Sequence, residues 1–139
     1  MAKSFRDLVV FQRALGLVVA IYDVTATFPR FELYGLTSQL RRASIGVLSD
    51  IAEGQGRLTF GEQRQFLSQA RGSLFEIDAQ CIAASRLGFL TSEAHERVGY
   101  ELRRTGKALA GFIAWVQENE RAARKPSNRA TQQPHQRSA

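Results

Sequence analysis

Ionisable residues cluster in Leu36–Arg57, LTSQLRRASIGVLSDIAEGQGR, at positions where a helical pattern would place core. They are Arg41, Arg42, Asp50, Glu53 and Arg57. Arg42 and Glu53 lie three helical turns apart and so share a face, and Asp50 is a one-turn neighbour of Glu53. In the following stretch Arg64 and Arg71 share a face, with Glu76 and Asp78 further along. Two chemistries fit these types and spacings. Arg41, Arg57, Arg64 and Arg71 would make a basic surface for the phosphates of RNA or DNA, to which the guanidinium fork is suited. Alternatively, Arg42, Asp50, Glu53 and Glu76 would form a structural polar network of interhelical ion pairs, with the other charges on solvated faces. Neither constellation specifies a reaction.

Signatures of catalysis are missing from the chain. It has no GxxxxGK[ST] loop, no HExxH and no GxSxG. GQGR at residues 54–57 resembles half of a dinucleotide loop, but a helix and not a strand precedes it. His95 and His135 are isolated, and neither follows a glutamate by the three residues that a di-iron bundle uses. Cys81, the single cysteine, lies among Ile77, Ile82 and Ala84 and is expected to be a small packed residue. The expectation is a protein that is not an enzyme, with no cofactor and no metal.

Charge separates the chain into two parts. Residues 1–120 hold 14 of the 19 Lys+Arg and all 13 Asp+Glu, leaving that part nearly neutral. Residues 121–139 carry five cations and no acid, lack large apolar residues, and read as a disordered basic tail. The high isoelectric point is therefore mostly a property of the tail and is weak support for nucleic-acid binding by the folded part. No run approaches the ~20 apolar residues of a membrane span, so the expected setting is cytoplasmic.

The elements that must position these residues are four amphipathic helices. The first is predicted over Phe5–Thr27, on the stripe Leu8, Phe11, Leu15, Val18 and Tyr22, with Ser4 as its cap and Asp7 as a short-armed capping partner. Phe28, Phe31, Leu33 and Tyr34 follow and are expected to plug the end of the bundle. The second starts near Glu32 to Leu36 and ends at Gly54, where Gly54 and Gly56 are expected to stop it through the left-handed conformation. Its stripe Leu36, Leu40, Ala43, Val47 and Ile51 is flanked by another, Ile45, Leu48 and Ala52, so it needs two neighbours. Thr59 and Glu62 open the third helix, which carries Phe60, Phe66, Leu67, Ala70, Leu74, Ile77, Cys81 and Ala84 and ends at Gly88. Gly72 within it suggests a tight helix crossing. Thr91 or Ser92 caps the fourth, built on Val98, Leu102, Leu109, Phe112, Ile113 and Val116, with Trp115 beside that stripe. Short connections give an all-α, up-down-up-down antiparallel four-helix bundle over residues 1–120.

Three segments, FRDLVVFQRALGLVVAIYDVTATFP, ELYGLTSQLRRASIGVLSDIAEGQGR and FLSQARGSLFEIDAQ, resemble the bacterial four-helix-bundle proteins first found encoded in intervening sequences of large-subunit ribosomal RNA genes. The most specific parts are Tyr34–Ala43, Ile51–Arg57 and Gly72–Glu76. Phe11 stands where that family usually has tryptophan, and Asp50 where it usually has asparagine. The resemblance implies a cytosolic homopentamer whose molecular function is largely unassigned. It also implies kinship with accessory proteins of diversity-generating retroelement reverse transcriptases, thought to engage nucleic acid through a basic surface. The expected role is a homo-oligomeric scaffold or adaptor, with a nucleic-acid-binding accessory protein as the alternative.

Overall fold

The computed structural model describes residues 4–125. Among the described residues the elements are four α-helices and two short 3-10 turns: α1 Val9–Thr25, α2 Leu36–Gly56, α3 Phe60–Arg86 and α4 Ser92–Arg124. Each helix packs on its sequence neighbours, and α4 closes back on α1, while the diagonal pairs stay apart. This is the ring order of an up-down-up-down antiparallel bundle, as the periodicity predicts.

Local chemistry sets most of the boundaries. At the start of α3, Thr59 Oγ1 accepts from the Glu62 amide at 3.1 Å and donates to the Glu62 carboxylate at 3.2 Å. Thr91, rather than Ser92, caps α4 by accepting from the Ala94 amide. Gly88, at φ +81°, ends α3. Its amide donates to the Ser85 carbonyl and the Phe89 amide to that of Ala84, the paired bonds of a Schellman motif. The fourth helix runs past the predicted limit at Glu120 as far as Arg124, with Arg121 and Arg124 favourably placed in its last turn. The tail expected beyond it lies outside the described residues.

Two glycine expectations are corrected. Gly54 and Gly56 are helical, and α2 ends by Arg57 turning extended. The small size of Gly54 matters instead, since a Cβ there would lie 3.3 Å from Leu67 Cδ2 and 3.4 Å from Phe66 Cβ. So α2 and α3 approach closely at Gly54, whereas nothing lies within 4 Å of a Cβ at Gly72.

The largest correction concerns α1. The chain opens with a 3-10 turn, Phe5–Asp7, capped by Ser4; Leu8 is extended and the α-helix begins at Val9. The core face is Val10, Ala14, Leu17, Ile21 and Val24, one position away from the predicted stripe. Because the helix is apolar nearly all round, three-and-four spacing fits two faces equally, and the predicted one stays partly exposed. In the connection that follows, Phe28 is buried near Phe89, with ring centroids 6.0 Å apart, and plugs the bundle end as expected. Phe31 and Tyr34 do not, at 80% and 93% exposed, because the 3-10 turn at Arg30–Glu32 carries them outward.

On α3 and α4 the predicted stripes form the core, as does the first of the two on α2: Leu40, Val47 and Ile51 meet Leu67, Ile77, Cys81, Val98, Leu109 and Val116, whereas the second α2 stripe, Ile45, Leu48 and Ala52, stays at the surface. Thr105 joins them fully buried, and its Oγ1 finds no partner. An unpaired buried hydroxyl costs about 1–3 kcal/mol, and valine has nearly the same shape. Thr105→Val is therefore expected to raise stability by about 1 kcal/mol, read as a higher denaturation midpoint with an unchanged m-value.

Candidate functional site

The four arginines considered for phosphate binding do not make one surface. Arg41 and Arg57 are separated by sixteen residues of α2, or ~24 Å of helix axis. Arg41 is drawn inward: its Nε donates to Thr25 Oγ1 at 2.9 Å, and its guanidinium lies 4.7 Å from the Tyr22 ring centroid. A longer bond of 3.4 Å reaches the Tyr22 carbonyl, one of the last of α1, where a cation also complements the helix dipole. At the other end of α2, Arg57 pairs with Glu53 at 2.8 Å and lies 4.4 Å over the Phe66 ring. Arg64 and Arg71 do share the α4-facing edge of α3. Arg64 grips Glu120 through Nε at 3.0 Å, tying α3 to α4. Arg71 makes no ion pair and lies 5.6 Å from the Phe75 ring centroid.

The polar network is likewise divided. Glu53 serves Arg57, and Glu76 accepts from Gln80 Nε2, which also donates to Gln39 Oε1 across the α2–α3 interface. Arg42 is exposed and joins neither. Asp50 has no cation beside it; partial burial pushes its carboxyl above the usual range, and the Glu53 charge adds to the shift. Glu120 shows the opposite effect. The Arg64 hydrogen bond holds its carboxyl below the usual range, and the charges of Arg64 and Arg124 assist against partial desolvation. Cys81 is buried, and its thiol is pushed up to about 12 by desolvation and by Asp78, which removes it as a nucleophile at neutral pH. Among the described residues no group of three or more His, Cys, Asp or Glu is placed to hold a metal ion, and no helix is long and apolar enough to cross a membrane.

The exposed apolar surface, which the second stripe of α2 and Trp115 pointed to, is the more distinctive feature. In α1 only Arg13 and Asp23 are charged, and both turn to α4: Arg13 donates to the Arg104 carbonyl and Asp23 pairs with Arg97. The side of α1 next to α2 therefore presents Phe11, Leu15, Val18, Val19 and Tyr22, with Val19 55% exposed. The outer flank of α2 continues it with Ile45, Leu48 and Ala52. Only Arg41, lying across Tyr22, interrupts this surface with a charge. Around α1 on its other side, a cleft of about 550 Å³ opens against α4, lined mainly by Leu8, Val9, Ala108, Phe112 and Trp115. Trp115 is 37% exposed there and packs on Phe60 and Phe112. A second groove, of about 440 Å³, runs between α3 and α4. The α1–α2 surface was legible as the surplus stripe of the first helix, had both of its faces been counted.

With this geometry in hand, comparison with known families matches residues 6–111 to a model described as 23S rRNA-intervening sequence protein. No curated protein matches the chain.

The two shifted carboxyls respond oppositely to acid. Glu120, lowered on folding, contributes stability that is present above the ordinary carboxyl value of about 4.3 and lost as pH falls through its folded value. The deficit in melting temperature of Arg64→Gln should therefore be largest near neutrality and shrink on acidification. Asp50, raised on folding, is penalised while charged, so Asp50→Asn should melt higher than the parent at neutral pH. That gain should fade as pH falls through the raised folded value and be gone below the ordinary carboxyl value. Thermal denaturation of both variants across the acid range checks the two signs together.

Proposed function

Since the chain belongs to the 23S rRNA-intervening sequence protein family, whose description names no reaction, we propose that it is a non-enzymatic cytoplasmic scaffold that works as a homopentamer. The observation that carries this reading is the α1–α2 surface. A contiguous run of Leu15, Val18, Val19, Tyr22, Ile45 and Leu48 with a single charge is what a subunit contact looks like, and is unusual on a monomer. The number five comes from the family resemblance, and the placement of the apolar surfaces is compatible with it. In a closed ring of five, each copy meets its neighbours in directions about 108° apart and uses two different patches. The α1–α2 surface and the α1–α4 cleft share α1 as their common edge, and adjacent faces of a four-helix bundle look outward at about 90°. Opposite faces would instead string copies into an open filament.

Nucleic-acid binding draws less support from the folded part, because Arg41, Arg57 and Arg64 are already engaged within the bundle and Arg71 faces Arg103 across an apolar groove rather than joining them. The test is solution mass by light scattering on size-exclusion chromatography. The wild type is expected at about five times the 15.5-kDa chain mass, at low and high salt alike, since the contact is apolar. Val19→Lys and Ile45→Lys change exposed positions, so helicity should survive while the mass falls toward one chain. A monomeric wild type, or variants that keep the full mass, would sink the reading. Titration of the same peak with RNA and DNA decides the alternative.

A further inference from the structure

The α3–α4 groove lies on the opposite side of the bundle from the α1–α2 surface, outside both faces assigned above to self-association. Its floor is apolar, built from Leu74, Leu109 and Ile113, and Phe75 stands on its wall at 63% exposed. The trough is open because α4 presents Gly106, Ala110 and Ala114 along it at four-residue steps, a strip ~12 Å long without bulky side chains. The fold itself does not demand that smallness. A Cβ at Gly106 would reach only Leu74 Cδ1, at 4.0 Å, an ordinary contact, while glycine there costs the helix about 1 kcal/mol relative to alanine.

Charge indicates what fits the trough. Among the described residues, Arg71 on one rim and Arg103 on the other make no ion pair. Asp78 is the one acid in the lining, so the rims are net positive around an apolar floor. A concave apolar floor between cationic rims suits an amphipathic helix whose apolar seam is flanked by carboxylates. Phosphodiester backbones would leave that floor uncovered.

We infer that the α3–α4 groove is a docking site for an acidic amphipathic helix of a partner protein, one site per subunit. The full-length protein is titrated, by fluorescence anisotropy, into a labelled helical peptide of leucine, alanine and glutamate, with a lysine-for-glutamate version as control. The acidic peptide should bind at least tenfold more tightly than the basic one. Ala110→Trp, which fills the trough from an exposed position, should abolish binding, and Arg71→Glu should weaken it at least tenfold. Both variants should keep the parent's mass and helicity, so this result stands or falls separately from the assembly test. Equal binding of the two peptides, no binding of the acidic one, or indifference to Ala110→Trp would overturn the inference. So would a change of mass in Ala110→Trp, which would give the groove to a second copy. Displacement of the acidic peptide by single-stranded RNA, sensitive to Arg71→Glu but not to Ala110→Trp, would give the rim to nucleic acid.

Discussion

A helix with two charges in seventeen residues is the constraint that organises this bundle. In α1 both charges, Arg13 and Asp23, are spent on α4, and the rest of the helix is uncharged and mostly apolar. One bundle core can take only part of that surface: Leu17 and Ile21 are fully buried while Val19 and Tyr22 remain accessible. The leftover area is the surface that the proposed assembly would cover. The flank of α2 bearing Ile45 and Leu48 enlarges it, and the two helices together form an apolar surface that carries only the Arg41 charge.

The arginines illustrate how side chains suited to phosphate can be committed elsewhere. Arg41 docks α2 onto the end of α1, where the Thr25 hydroxyl it binds is itself anchored on the Ile21 carbonyl at 2.6 Å. Arg64 grips Glu120, which also accepts from Arg124, so one carboxylate draws cations from two helices. Such exposed or half-exposed pairs contribute modestly to stability, and their main effect is to fix rotation and register. Recruiting Arg64 to a phosphate would mean giving up the α3–α4 tie. Arg71 and Arg103 carry no such obligation, and they flank an apolar trough rather than a polar one.

How legible the sequence was depended on the contrast within each helix. Where one face is apolar and the other charged, as in α3 and α4, periodicity placed Leu67, Ile77, Cys81, Val98, Leu109 and Val116 in the core correctly. Caps were readable because Thr59, Thr91 and Gly88 each satisfy orphan helix-end groups in a way few residues can. In α1 that contrast is absent, and the face was misassigned by one position. Gly54 and Gly72 look alike in sequence, and only the distance to a neighbouring helix separates a close approach from an open one. Thr105 was recoverable, since it lies four residues before Leu109 and seven after Val98 on the same stripe. The partition of the polar residues was not, because spacing reports a shared face and not which carboxylate a guanidinium reaches.

The faces of the bundle are chemically unequal, and that inequality constrains what a scaffold built from it can do. The α1–α2 surface is apolar and nearly uncharged, suited to contact with identical copies, for which desolvating few charges is an advantage. The α3–α4 side combines an apolar floor with unpaired cationic rims, a mixture that favours exchangeable partners with electrostatic steering. If α1 is the edge nearest the ring axis, α3 is the corner furthest from it, and its grooves face outward. Assembly then multiplies the outward sites without consuming them, so several weak helix contacts on one ring gain avidity that a single chain lacks.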